Sequence, residues 1–215
     1  MKENLKKYLV EVIGTFFLVL TIICCSYTAQ GILAPFAIAC VIIAIVYAGG
    51  HISGGHYNPA ISLAACFRGA LSFKQFVPYT IAQLLGGAIA VWTFYLLIGK
   101  TQVFYPIDFK LMPMLISEAL FTFALCYVVL QTATVKETKG NSYYGLAIGI
   151  TVLVGAIAVG GTFCAGAFNP AVALPLGMIS ALSWKLAGYT ILANLIGGAL
   201  SALAFKLTYT ETKED

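Results

Sequence analysis

A segment containing Asn-Pro-Ala occurs twice in the sequence, and this duplication constrains the fold more than any other feature. Two pairs of matching segments lie the same 111 residues apart: HYNPAISLA at 56–64 with AFNPAVALP at 167–175, and AQLLGGA at 82–88 with ANLIGGA at 193–199. A weaker third match joins Glu11 to Glu118, at an offset of 107 residues. Because chance rarely preserves a spacing, we interpret the chain as two copies of one structural unit.

Composition decides the solvent in which these copies fold. Hydrophobic residues make up 60% of the chain and charged residues only 9%, which is typical of a protein embedded in lipid. A helix needs about 20 apolar residues to cross the hydrocarbon core. Six segments approach or exceed that length and are predicted to span the membrane: 8–28, 32–50, 76–99, 111–133, 143–161 and 184–207. The predicted fold class is therefore an all-α membrane protein.

Each copy holds three spans, and this odd number sets the relative orientation of the copies. We assign residues 1–107 to repeat 1 and residues 108–215 to repeat 2 of a single integral domain. After three crossings the second copy enters the membrane from the opposite face, so the repeats are inverted. Inverted repeats place equivalent elements across a pseudo-two-fold axis, with the functional site near the membrane midplane. The two Asn-Pro-Ala motifs should meet there.

Short apolar stretches follow the motifs, at 58–67 and 169–179, and are predicted to be re-entrant half-helices. Asparagine is a preferred N-cap, and proline suits the first helical position because its missing N–H would have no intrahelical partner there. The residues that start the half-helices are Asn58, Pro59 and Ala60 in repeat 1, and Asn169, Pro170 and Ala171 in repeat 2.

Two helix N-termini that converge at the midplane predict a pore for neutral molecules. Each N-terminus carries a partial positive charge of about half a unit, so cations and protons meet a barrier. The amides of Asn58 and Asn169 can donate hydrogen bonds to a passing molecule. Irregular backbone before each motif is tolerated at this depth only where it is buried or lines a watery cavity. The pattern thus indicates a passive path for small uncharged molecules.

At these residues the sequence resembles the aquaporin, or major intrinsic protein, family. The resemblance covers nearly the whole chain: HISGGHYNPA at 51–60, the second Asn-Pro-Ala, AQLLGG in the third span, the paired glycines of the sixth span, and a glutamate in the first and fourth spans. It implies six helices with two half-helices, a homotetramer with one pore per subunit, and passive permeation of water or small neutral solutes through the bilayer.

The resemblance fails directly after the second motif. Family members usually continue as Asn-Pro-Ala-Arg, and the arginine narrows the outer pore and repels cations, whereas Val172 stands here. Ungapped counting places the remaining positions of the selectivity constriction at Ile38, Ile157 and Gly166. An aliphatic constriction without arginine should be wider and less polar than a strict water filter, because the groups lining a pore set its selectivity.

Substrate indicators in the sequence disagree. Val172 resembles the residue in certain plant vacuolar-type members that accept small solutes, which predicts passage of ammonia, urea, glycerol or hydrogen peroxide beside water. Ala173 and Gly177 are small, as in water-type members, whereas glycerol-type members often carry an acid and a base there. The sequence leaves open which solute passes besides water.

Glu11 and Glu118 are the only acids inside the apolar spans. An intramembrane carboxylate is by default a functional candidate, such as a proton relay. Because the two occupy equivalent places in the repeats, we predict instead that they are structural braces for the half-helix loops. His51 and His56 have no histidine counterparts in repeat 2 and are predicted to be hydrogen-bonding loop residues. We expect neither a metal site nor a cofactor, and the six cysteines form no CxxC pair.

The basic residues report orientation rather than a nucleic-acid partner, because they are scattered through short loops. With the N-terminus inside, nine lie in the cytoplasm (Lys2, Lys6, Lys7, Arg68, Lys74, Lys136, Lys139, Lys206 and Lys213) and three outside (Lys100, Lys110 and Lys185). This distribution obeys the positive-inside bias. We expect a multi-pass protein of the plasma membrane with both termini cytoplasmic.

A coupled secondary transporter is the main alternative, because inverted repeats with broken helices at the midplane describe many such proteins. Transporters of this kind usually need ion-coordinating or protonatable groups beside the site, and the motif region here offers amides and apolar residues. A structural protein of membrane junctions is a further alternative. An enzyme is disfavoured because no nucleophile and base converge.

Overall fold

The computed structural model describes residues 2–99 and 104–209, and α-helices account for most of this part of the chain. The described helices are α1 (Lys2–Tyr27), α2 (Leu33–Ser53), α3 (Pro59–Arg68), α4 (Phe73–Ile98), α5 (Leu111–Ala133), α6 (Tyr144–Ala158), α7 (Pro170–Met178) and α8 (Trp184–Thr208), with a short 3-10 helix (Lys136–Thr138) between α5 and α6. The prediction of an all-α membrane protein is confirmed. Lys100 and Lys213, which the orientation prediction used, lie outside the described residues.

Five described helices are long and apolar enough to cross a membrane, namely α1, α2, α4, α5 and α8. The sixth predicted span, 143–161, corresponds to α6, which has 15 residues and is therefore about 22 Å long. This helix ends before the predicted boundary because the chain turns at Gly161. That residue has a φ of +75°, a region open to glycine, and its N–H donates to the carbonyl of Cys164 at 2.8 Å.

The two short helices α3 and α7 stand where the half-helices were predicted. They contain 10 and 9 residues, and their bounds fall within one residue of 58–67 and 169–179. At 1.5 Å per residue each covers about half of a hydrocarbon core of about 30 Å. Two such helices that meet at their N-termini therefore make one further crossing.

Paired glycines explain how closely these helices pack. A side chain at Gly86 would overlap the carbonyl oxygen of Val12 in α1, and one at Gly197 would overlap that of Ala119 in α5. The second glycine of each pair contacts a motif alanine of the other half: a Cβ at Gly87 would lie 2.9 Å from the carbonyl of Ala171, and one at Gly198 would lie 2.7 Å from that of Ala60. Small residues allow this approach between membrane helices.

Contacts among helix ends show which ends share a face of the molecule. The guanidinium carbon of Arg68, at the end of α3, lies 4.9 Å from the ring centre of Phe205 near the end of α8. The rings of Tyr8 in α1 and Tyr79 in α4 pack edge to face at 5.8 Å. We call the side that holds the start of α1 and the end of α8 the terminal face, and the opposite side the distal face.

Candidate functional site

Two asparagine N-caps form the centre of the candidate site. Asn58 and Asn169 have extended backbones, and each side-chain Oδ1 accepts a hydrogen bond of 2.8 Å from the backbone N–H two residues further on, at Ala60 and Ala171. In both half-helices a proline fills the first helical position. The local sequence therefore sets the point at which each half-helix begins.

Each asparagine also contacts the other half of the molecule. Nδ2 of Asn58 donates to the carbonyl of Phe168 at 2.9 Å, and Nδ2 of Asn169 donates to the carbonyl of Tyr57 at 2.9 Å. An amide has two hydrogens, so this exchange uses one from each asparagine and leaves one for the cavity that both side chains line. The exchange also brings the positive N-terminal ends of α3 and α7 together.

The residues directly before the asparagines have an unusual backbone. Tyr57 has a φ of +50° and Phe168 has a φ of +46°, a left-handed region that residues with large side chains rarely adopt. Both side chains are nearly fully buried, and both backbone N–H groups donate to a buried carboxylate. Packing and these hydrogen bonds hold the two strained residues in place.

The carboxylate of Glu11 receives four hydrogen bonds around the first motif. Oε1 accepts from Oγ of Ser53 at 2.7 Å and from the backbone N–H of His56 at 3.0 Å. Oε2 accepts from the backbone N–H of Tyr57 at 2.6 Å and from Nε2 of Gln83 at 2.8 Å. One side chain of α1 thus fixes the loop that leads into α3.

Glu118 makes the equivalent contacts around the second motif. Oε1 accepts from the backbone N–H of Ala167 at 3.0 Å, and Oε2 accepts from the N–H of Phe168 at 2.8 Å and from Nδ2 of Asn194 at 2.9 Å. Glu11 and Glu118 are fully buried, and neither lines the cavity beside the motifs. These contacts support the predicted role of the two glutamates as braces.

A cavity of about 320 Å³ runs along the motifs. It extends from Ser26 and Ala34, near the distal face, past Asn58 and Asn169. Its walls are mostly aliphatic side chains and glycine backbone, with the two asparagine amides among the few polar groups. We call this space the main cavity. A mostly apolar cavity with a few oriented polar groups is typical of a small-molecule path.

Three of the four predicted constriction residues, Ile38, Gly166 and Val172, line the main cavity. The prediction for Ile157 is wrong, because its side chain is 50% exposed on the outer surface of α6 and Ala156 lines the cavity instead. Successive helical residues point about 100° apart, so an error of one residue in the count turns a side chain from the cavity towards lipid. We call Ile38, Ala156, Gly166 and Val172 the aliphatic ring.

A second pocket of about 430 Å³, the terminal pocket, lies at the terminal face. It is lined by Gly50, His51 and Gly54 on the side of α2, and by residues of the segment that joins α5 to α6, among them Lys136 and Lys139. Several of its residues are exposed to solvent, among them His51 and Gly54. Its position suits an entrance on that face.

Sequence reasoning missed a polar cluster beside the first motif. Oγ of Ser62 in α3 lies 3.0 Å from Nδ1 of His56 and accepts from Nε2 of Gln83 at 3.0 Å, and it lies 3.1 Å from the carbonyl of Asn58. The repeat offset contained a signal, because it pairs Ser62 with Ala173. Because Ser62 carries a hydroxyl where Ala173 carries a methyl group, the first half-helix has a polar group that the second lacks. This difference indicates additional polar partners beside the first loop.

Potential metal ligands do not cluster at the site in the described part of the chain. In residues 2–99 and 104–209, no three His, Cys, Asp or Glu side chains lie close enough together to hold a metal ion. None of the six cysteines lines the main cavity, and the Cys164 thiol is buried against the carbonyl of Val159 at 3.8 Å.

Comparisons with known proteins point to one family. A family model described as major intrinsic protein matches residues 1–205. A probable TIP-type alpha aquaporin from Phaseolus vulgaris is 35% identical over 189 residues, which cover 84% of this chain and 72% of the relative. Aquaporin NIP1-1 from Zea mays is 29% identical, over 94% of this chain and 74% of the relative. Among solved structures, the aquaglyceroporin from Plasmodium falciparum has the same fold, with a TM-score of 0.76, 16% identity, and coverage of 94% of this chain and 95% of that one.

Proposed function

Because the chain belongs to the major intrinsic protein family, we propose that it is a passive transmembrane channel for water and other small neutral solutes. The observation that carries this proposal is the pair of hydrogen bonds from Asn58 to the carbonyl of Phe168 and from Asn169 to the carbonyl of Tyr57. They join the two half-helices beside one cavity. A solute can accept the remaining amide hydrogens there as it passes. The protein is an integral membrane protein, and its family consists of channels rather than enzymes.

Exclusion of ions follows from the charges around the main cavity. The N-termini of α3 and α7 converge on it and present positive partial charge. In the described part of the chain, no Asp or Glu side chain lines the cavity to compensate that charge. A cation therefore loses its hydration without gaining a counter-charge. A water molecule that accepts from both asparagines points its hydrogens away from the motifs, which interrupts a chain of proton transfer.

The choice among neutral solutes rests on the aliphatic ring. Val172 stands where the family usually has arginine, and Ile38, Ala156 and Gly166 add no polar side chain. This ring should select mainly by size and should admit ammonia, urea, glycerol or hydrogen peroxide beside water. Permeability measurements on variants of Val172 test both the constriction and its solutes.

The assembly of the protein and the membrane that holds it are further parts of the proposal. We propose a homotetramer in the plasma membrane, with both termini of each chain in the cytoplasm. Each subunit consists of two inverted repeats, 1–107 and 108–215. The large apolar side chains exposed on the helices, such as Leu85, Trp92 and Leu200, suit contact with lipid or with neighbouring subunits. Chemical cross-linking in native membranes should give species up to four chains. Monomers alone would contradict the tetramer.

Osmotic shock of proteoliposomes tests the channel directly. Under a sucrose gradient, vesicles with the purified protein should shrink quickly, and the rate of water efflux should have a low activation energy. Under a gradient of urea or glycerol, they should shrink and then re-swell as the solute enters. A coupled transporter would instead require an ion gradient, and that dependence would overturn the proposal.

The variant Val172→Cys tests whether the measured flux passes through the main cavity. Mercurials should block this variant, whose thiol faces the main cavity, and should spare the wild type, whose cysteines do not line it.

A further inference from the structure

We propose that the terminal pocket binds a phosphate group, held by Lys136, Lys139 and His51, and that the bound anion narrows the entrance to the main cavity. Free phosphates and the headgroups of phospholipids share this chemistry. The effect on the entrance rests on the proposed channel function, whereas the binding site stands independently of it.

The short 3-10 helix places two positive charges on one side of the terminal pocket. Residues three apart eclipse each other in a 3-10 helix, and the N–H of Lys139 donates to the carbonyl of Lys136 at 3.1 Å. Both lysines line the pocket, whereas Glu137 between them does not. Oε2 of Glu137 accepts from the hydroxyl of Tyr209 at 3.0 Å. The one acid of this turn is therefore directed to the end of α8.

Polar groups around the terminal pocket either hold its wall together or have no protein partner. Three threonine hydroxyls donate to carbonyls of α5: Thr132 to Val128, Thr134 to Leu130, and Thr138 to Gln131. In the part of the chain that the structure describes, four donor groups of the lining make no hydrogen bond: Nζ of Lys136, Nζ of Lys139, the ring of His51 and the hydroxyl of Tyr144. These donors remain available to a ligand.

The charge of the terminal pocket selects an anion. Among its described lining residues there is no Asp or Glu, so the two ammonium groups repel each other without a counter-charge. A phosphate group carries about 1.5–2 negative charges at neutral pH and three acceptor oxygens. It can therefore pair with both lysines and still accept from the ring of His51. A cation or an apolar ligand finds no such partners.

The wall that carries the lysines is fixed in place. Nδ2 of Asn141 donates to the carbonyl of Thr132 in α5 at 2.8 Å. The hydroxyl of Tyr47 in α2 donates to the carbonyl of Ser142 at 2.8 Å. These contacts hold the segment between α5 and α6 beside the end of α2, where His51 lies. A ligand then needs to order only the side chains, which lowers the entropic cost of binding.

An anion in the terminal pocket lies beside the path through the main cavity. Gly54 lines the pocket, and the next residue, Gly55, lines the cavity. Only glycine backbone separates the two spaces along this stretch of chain. A bound phosphate should therefore hinder water and solutes at the terminal face. The effect should require the anion on that side of the membrane.

Binding of inorganic pyrophosphate to the full-length protein in uncharged detergent tests the site without measuring conduction. Calorimetry should show one site per chain, with an affinity that falls as salt is added. Lys136→Gln and Lys139→Gln should each weaken binding by about tenfold, because each removes a charge-assisted contact.

Lys74→Gln is the matched control, because Lys74 stands at the start of α4 and does not line the terminal pocket. It removes the same charge and should change the affinity by less than about twofold, as expected for an exposed charge outside the site. Equal losses in all three variants would show that only the net charge of the terminal face matters, and the proposal would be wrong.

Nanodiscs distinguish the two sources of phosphate. A rise in unfolding temperature when phosphatidic acid replaces part of the phosphatidylcholine, absent from Lys136→Gln, would indicate a lipid headgroup. Pyrophosphate binding without that rise would indicate a free phosphate. Neither pyrophosphate binding nor the rise would overturn the site.

Water permeability tests the effect on the entrance. Pyrophosphate on both sides of proteoliposomes should lower the osmotic water permeability of the wild type by about threefold, through a higher barrier at the entrance. The double variant Lys136→Gln/Lys139→Gln should lose this inhibition. Binding without inhibition would overturn the narrowing of the entrance. If wild-type vesicles pass no water even without pyrophosphate, the channel function fails, whereas calorimetry still decides the binding site.

Discussion

The loops before the two Asn-Pro-Ala motifs have the same backbone but different side chains. In each loop a residue with positive φ precedes the asparagine, and a buried glutamate holds the N–H groups. At three positions, however, a polar residue of the first loop or half-helix is matched by a less polar one in the second: Ser53 by Cys164, His56 by Ala167, and Ser62 by Ala173. The common features are those that place the half-helices.

Two of these three differences concern the lumen, because His56 lines the main cavity and Ser62 contacts the ring of His56. Near the terminal face, Ser62 and Gln83 support a histidine beside the path. Near the distal face, the aliphatic ring offers little polarity. We propose that the two halves therefore act differently on a solute, with selection by size at the aliphatic ring. The duplicated architecture sets where the motifs lie, and the unequal side chains are the candidates for what distinguishes one solute from another.

Removal of the glutamate braces should have the largest effect. Glu11→Ala leaves four buried donors without an acceptor and Glu118→Ala leaves three. At about 1 kcal/mol per unsatisfied donor, the expected losses in unfolding free energy are about 4 and about 3 kcal/mol. Thermal unfolding in detergent, followed by tryptophan fluorescence, measures both.

The exposed Glu3 on α1 is the matched control for the braces. Glu3→Ala should leave the unfolding temperature within error of the wild type. A larger loss of unfolding free energy in Glu118→Ala than in Glu11→Ala would contradict the prediction. It would mean that the additional hydrogen bond of Glu11 does not make the first loop more stable.

The paired glycines should instead behave identically in the two halves. A methyl group at Gly86 or Gly197 meets a carbonyl oxygen of the neighbouring helix, and such overpacking costs about 2 kcal/mol. We expect equal losses from Gly86→Ala and Gly197→Ala in the same unfolding assay. Gly188→Ala is the control, because nothing lies near its Cβ and alanine favours a helix. Unequal losses would show that the helix packing of the halves differs as well.

The fold could be predicted from the sequence because its determinants are repeated and periodic. The length of the apolar spans and the common offset of 111 residues gave the helices and the two half-helices, and the structure shifts most of their ends by a few residues. The largest shift is at α1, which begins at Lys2 and not at residue 8, and α6 stops short of its predicted end because Gly161 turns the chain. A glycine inside an apolar run does not reveal by itself whether the helix continues.

The site could be predicted only where residues act through the backbone. Asparagine and proline act locally, so the motif caps follow from a few neighbouring residues. Which residue of α6 faces the cavity depends on the rotation of the helix about its axis. The count was wrong by one residue, so Ile157 was predicted where Ala156 lines the cavity. The cluster of His56, Ser62 and Gln83 joins a loop, a half-helix and a spanning helix. Such a cluster requires the three-dimensional structure, although the repeat offset marks its members as unmatched.

Val172→Arg tests the aliphatic ring on the distal side. A guanidinium group in the main cavity narrows it and adds fixed donors, so urea and glycerol permeability should fall about tenfold, the effect of about 1.4 kcal/mol at the barrier. Water permeability should fall less. Ile157→Met, on the outer surface of α6, is the control and should change nothing. Unchanged solute permeability in Val172→Arg would show that selection does not occur at this ring.

The smallest predicted change in unfolding free energy comes from two variants, each of which gives one half the residue that the other half has at the equivalent position. Oγ of Ser53 donates to Glu11 at 2.7 Å, whereas the equivalent Cys164 carries a thiol, which is a weak donor. Cys164→Ser should give Glu118 a stronger hydrogen bond and raise the unfolding free energy by about 0.5–1 kcal/mol, and Ser53→Cys should lower it by a similar amount. Paired unfolding curves measure both changes. Because neither residue lines the main cavity, solute permeability should stay constant in both variants. A change in permeability would mean that the braces set the width of the path as well as the stability of the loops.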